Sequence, residues 1–119
     1  MTIGGNWEAY GDRIPALWLN GGSNPYLTAA SAINGNSNYH INHEVTTNTW
    51  IKVKMHQKKR STDGSYVFEI VVNGVIIHSI VNNQPADFKN VKVFASDPWY
   101  PPFSGSLRNF EICLNGKQK

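Results

Sequence analysis

The pair Asn73-Gly74 constrains this chain more than any other two residues in it. It separates Tyr66-Val-Phe-Glu-Ile-Val-Val72 from Val75-Ile-Ile-His-Ser-Ile-Val81, two runs dense in β-branched side chains. A two-residue link between such runs needs positive φ at both central positions, and Asn-Gly tolerates that best. The spacing predicts a β-hairpin over 66–81. A lone hairpin cannot bury its apolar face, so further strands must pack on it.

The flanking sequence supplies them. From Trp50 to His56, Ile51, Val53 and Met55 alternate with Lys52, Lys54 and His56, the period of a half-buried strand. The polar stretch Lys58–Ser65, with its Asp63-Gly64 pair, reads as the turn that follows. Pro15–Leu19, Tyr26–Ala30, Tyr39–Val45, Val91–Ala95 and Leu107–Leu114 read as further strands, with Tyr39, Ile41, His43 and Val45 on one face. Between them lie stretches rich in Asn, Gly, Ser and Pro at 20–25, 34–38 and 97–102. The Gly-rich N-terminal segment shows no strand pattern. Short strands at roughly 8–12-residue spacing predict an all-β antiparallel sandwich, a jelly roll. With 119 residues, 40% of them apolar, the expectation is one domain over 1–119, whether complete or cut from a longer protein.

Charge and composition narrow the partners. Net charge is +3, whereas a nucleic-acid module of this size carries a denser cationic face, so no nucleic-acid partner is expected. No apolar run approaches the roughly 18–20 residues that span a bilayer. Met1–Gly5 lacks a basic-then-apolar leader pattern. The single cysteine, Cys113, has no partner for an internal disulfide and reads as a small buried apolar residue on a strand.

Catalysis fares badly. Acid/base work on sugars needs two facing carboxylates, which on a strand means acids two or four residues apart. Only Glu8 and Asp12 meet that spacing, in the segment without strand pattern, so no enzyme is expected. His40 and His43 point to opposite faces of one strand and cannot share a metal without a bulge. His78 lies within a strand run and reads as structural.

Two features could recognise a ligand. Lys52, Lys54, His56 and Lys58 alternate on one strand face, with Lys59 and Arg60 extending the stripe into the turn. Cations about 6–7 Å apart could track a heparin-type sulphated glycan or an anionic lipid surface, or they could simply keep a solvent-facing strand soluble and unpaired. The second feature is Ala95–Phe103, where three prolines stiffen a loop carrying Asp97, Trp99 and Tyr100. Rigid aromatics offer flat faces to a sugar ring, and equally well they plug the end of a sandwich.

Trp50-Ile-Lys-Val53, Phe68-Glu-Ile-Val-Val-Asn-Gly74, Val91–Tyr100 and Gly105-Ser-Leu-Arg-Asn-Phe-Glu-Ile112 together resemble the second half of laminin G-like, concanavalin A-like jelly-roll modules. The resemblance covers about half the chain. It implies an extracellular module that binds glycans or proteins, with Asp97 as a calcium ligand and Asn34 or Asn36 as loop partners. The chain is shorter than the usual module and lacks its C-terminal disulfide. A weaker resemblance to galectins lies in Phe68-Glu-Ile with the following Asn-Gly turn. Against their His-x-Asn-x-Arg sugar-binding strand this chain sets His40 and Asn42, with Glu44 in place of the arginine.

The expectation is a non-catalytic, lectin-like glycan-binding or cell-adhesion module. Its ligand-binding residues are Asp97, Trp99, Tyr100, Asn34, Asn36, His40 and Asn42 in the neutral-sugar version. They are Lys52, Lys54, Lys58, Lys59 and Arg60 in the sulphated-glycan version. A third expectation is a protein-interaction domain without a sugar site, acting as a homo-oligomer.

Overall fold

A computed structural model describes residues 2–4, 15–87, 92–94, 105–114 and 117–118. Among these residues every regular element is a strand: β1 (Thr2–Gly4), β2 (Ala16–Asn20), β3 (Tyr26–Ile33), β4 (Asn36–Glu44), β5 (Val53–Lys59), β6 (Tyr66–Val72), β7 (Val75–Asn82), β8 (Lys92–Phe94), β9 (Cys113–Leu114) and β10 (Lys117–Gln118). All pairings are antiparallel. One sheet runs β4-β3-β2-β1-β8, a second runs β5-β6-β7, and β9 and β10 form a separate ribbon.

The predicted hairpin is β6–β7. Asn73 and Gly74 take φ of 50° and 82°, the positive pair that the two-residue turn demands. Asn73 also fastens this turn to the start of β5: its N–H donates to the Lys52 carbonyl at 2.9 Å, and its Oδ1 accepts from the Lys52 N–H at 3.0 Å. A second Asn-Gly pair, Asn34-Gly35, joins β3 to β4 with φ of 51° and 77°.

The two sheets meet face to face. Ala29 and Ile33 of β3 form one buried cluster with Phe68 and Ile70 of β6. Leu17, Tyr39 and Ile41 close it from the first sheet, and Met55, Ile77 and Ile80 close it from the second. Ile33 and Ile70 are each only 1% exposed, and such burial is worth roughly 1.5–3 kcal/mol per side chain. Among the described residues, two hydrogen-bonded links cross between the sheets. Tyr39 Oη bonds His78 Nε2 near the middle. At one end Asn34 donates from Nδ2 to the Val81 carbonyl at 2.9 Å, accepts at Oδ1 from the Asn83 N–H at 2.6 Å, and donates its N–H to Asn82 Oδ1 at 3.0 Å.

The structure corrects several sequence expectations. Thr2–Gly4 is a strand after all, hydrogen-bonded between β2 and β8, because pairing on both sides substitutes for a hydrophobic pattern. Lys58 and Lys59 stay in β5, and the turn is confined to 60–65, closed by Arg60 N–H to the Ser65 carbonyl at 2.8 Å. The strand expected over Leu107–Leu114 shrinks to Cys113–Leu114. Asn109 at φ 53° breaks the extended run, and Leu107 and Phe110 are exposed. Cys113 is exposed rather than buried, in a ribbon that pairs β9 with β10 alone among the described residues.

Candidate functional site

Strand pairing assembles a face that no single stretch of sequence displays. Leu17, Ala29 and Ile41 turn toward the core, so the alternate residues of β2, β3 and β4 turn outward. They lie in three rows across the strands: Ala16–Ala30–His40, Trp18–Thr28–Asn42 and Asn20–Tyr26–Glu44. In the first row the alanines are covered, at 0% and 1% exposure. The open part of the face is therefore the other two rows together with the edge strand β4, where His40, Asn42 and Glu44 are all exposed.

This face is organised by its own hydrogen bonds. Asn20 Nδ2 donates to Thr28 Oγ1 at 2.8 Å, and Thr28 Oγ1 donates onward to Asn42 Oδ1 at 2.8 Å. With Oδ1 accepting from Thr28, the donors on Asn42 Nδ2 are left for another acceptor. His40 is fixed in the same way: Nδ1 lies 2.9 Å from the Asn38 carbonyl, which can only accept, so Nδ1 carries the proton. In the neutral ring Nε2 is then an acceptor. Along β4 the order is acceptor (His40), donor (Asn42), acceptor (Glu44), at steps of roughly 6.7 Å. Half-buried Trp18 and Tyr26 flank the polar groups from β2 and β3. Alternating acceptors and donors beside aromatic surface suit hydroxyl groups on a ring with apolar C–H faces.

The other expected site residues divide clearly. His40 and Asn42 come together on this face, and His43 turns to the opposite side beside Leu27, as the alternation requires. Asn34 lies apart, with its amide engaged by Val81 and Asn83. Asn36 Oδ1 accepts from the Asn38 N–H at 2.9 Å. Each of these two braces its own turn, and no group of three or more His, Cys, Asp or Glu among the described residues is placed to hold a metal. Asp97, Trp99 and Tyr100 lie outside the described residues, as do Glu8 and Asp12.

The basic stripe is less cationic than its sequence. Glu69, 6% exposed on the adjacent strand, accepts from Lys58 Nζ at 2.7 Å and faces His56 Nε2 at 3.1 Å. The Lys58 and His56 hydrogen bonds hold the Glu69 carboxyl below its ordinary range, outweighing the opposing effect of burial. Lys59 is on the other face, its ammonium 6.0 Å from the Tyr66 ring centroid, and Arg60 pairs with Asp63 at 3.1 Å. Lys52 and Lys54 remain exposed, beside a small notch with Val71 and Gly74.

Comparisons with protein-family models, curated proteins and solved structures found no match. The case for function thus rests on geometry. Trp18, Asn20, Tyr26 and Thr28 were not legible as site residues in the sequence. Their period-two spacing was visible, but only the register of β2 and β3 against β4 shows that they share a face with His40 and Asn42.

Proposed function

We propose that this chain is a non-catalytic carbohydrate-binding module of lectin type, acting outside the cell, and that neutral sugars bind on the outward face of β2–β3–β4. Its two packed antiparallel sheets fit a jelly roll of the laminin G-like or concanavalin A-like kind, and that connectivity is part of the proposal. The observation that carries the reading is the row His40, Asn42 and Glu44, oriented by the Asn20–Thr28–Asn42 hydrogen bonds. Such prior orientation lowers the ordering cost that a weak, polar ligand must overcome.

A glycan array probed at low and at raised salt tests it. Neutral glycans should bind equally at both salt levels, because screening acts on charge pairs and not on hydroxyl hydrogen bonds. Asn42→Ala should weaken binding at least tenfold with its melting temperature within a few degrees of the parent. Salt-sensitive binding to sulphated chains that is lost in Lys52→Ala/Lys54→Ala would move the site to the stripe. A blank array would overturn the glycan reading and leave protein interaction in its place.

A further inference from the structure

At one end the sugar-facing sheet does not stop at Glu44. A depression of about 270 Å³ opens there, lined by Ser23, Asn24 and Pro25 before β3 and by Glu44, Val45, Thr46 and Thr47 after β4. The two segments are tied, with the Val45 N–H donating to the Pro25 carbonyl at 3.1 Å. The walls are three hydroxyls, one amide and one carboxylate beside the apolar Pro25 and Val45, with no aromatic ring and no cation. Such a hollow suits a hydroxyl-rich group and repels an anion. Glu44 belongs both to this depression and to the row on β4.

We propose that the two are one continuous site, built for a neutral oligosaccharide lying along β4, a proposal that rests on the glycan reading above. From His40 to Glu44 the strand alone runs roughly 13 Å, longer than one pyranose ring, and the depression lies beyond. One sugar unit sits on His40 and Asn42, and the next enters the hollow among Ser23, Thr46 and Thr47. Glu44, at the junction, accepts hydroxyl hydrogen bonds from both units and sets the ligand class. Its charge selects against sialylated, uronic or sulphated sugars, which would bring a second anion against it.

The test uses four monosaccharides (glucose, galactose, mannose and N-acetylglucosamine) and the linear tetrasaccharide of each, titrated into the labelled chain and followed by amide NMR shifts. For at least one sugar the tetrasaccharide should bind tenfold or more tightly than its monosaccharide and shift Ser23, Asn24, Thr46 and Thr47. Thr46→Val/Thr47→Val should remove that gain while leaving the monosaccharide affinity unchanged. Glu44→Gln should admit a sulphated tetrasaccharide that the parent refuses. Binding that ignores chain length or the threonine pair overturns the extended site and leaves the sheet-face reading standing. The absence of binding to any of the eight probes overturns both.

Discussion

At the scale of single residues, Glu69 is the clearest case of chemistry hidden from the sequence. It reads there as an isolated acid in an apolar run, yet it is the buried anchor of Lys58 and His56 across β5–β6. Its folded pKa lies below the ordinary 4.5, so its stabilising contribution is complete above that value and disappears as pH falls through the lower folded value. Glu69→Gln should cost about 1–2 kcal/mol at neutral pH. It should also flatten the loss of stability below pH 4.5, measured by urea unfolding at a series of pH values. The same residue explains why charge could not be read from a strand pattern. Alternation places lysines on a face, but the neutralising partner arrives from the neighbouring strand, eleven residues on from Lys58. His40 and His43 were legible because their separation depends on strand geometry alone.

Among elements, hairpins were legible and edges were not. Asn73-Gly74 specified its turn because its backbone requirement is local, and the structure adds only the clasp to Lys52. Nothing lies within 4 Å of where a Cβ on Gly74 would sit, so any penalty there is conformational. Gly74→Ala should therefore destabilise by roughly 1–2 kcal/mol through the left-handed backbone alone, with sugar binding untouched, as a thermal melt would show. The strand expected at Leu107–Leu114 failed for the converse reason: Asn109 leaves the extended region, and Leu107 and Phe110 stay exposed. The outer strands of the second sheet are guarded by different means. β5 carries lysines, whereas β7, with no charged residue, is interrupted by a register shift opposite Ile70 and Val71. Both devices discourage edge-to-edge pairing with another chain.

For the whole molecule, the class was legible, all-β with antiparallel sheets, while the assembly of the outward β2–β3–β4 face was not. Periodicity tells which residues share a side of one strand; it does not tell which strands lie side by side or in what register. Asn34 shows the cost of that gap. A loop asparagine suggests ligand contact, and here it ties the β3–β4 turn to the end of β7. Asn34→Gly keeps the positive φ available and removes only the side-chain bonds. It should lower stability by about 1–2 kcal/mol, leave sugar affinity unchanged and accelerate amide exchange at Asn83, whose N–H it now protects.

That clasp also makes the two sheets behave like the covers of a book. Its binding runs along the Asn34–Asn82 end, and the depression beside Glu44 lies at the opposite end of β3 and β4, at the fore-edge. Fluctuations that part the covers would grow with distance from the binding. A partner that engaged both sheets at the fore-edge would quiet that motion, whereas one confined to the outward face of the first sheet would leave it as it is.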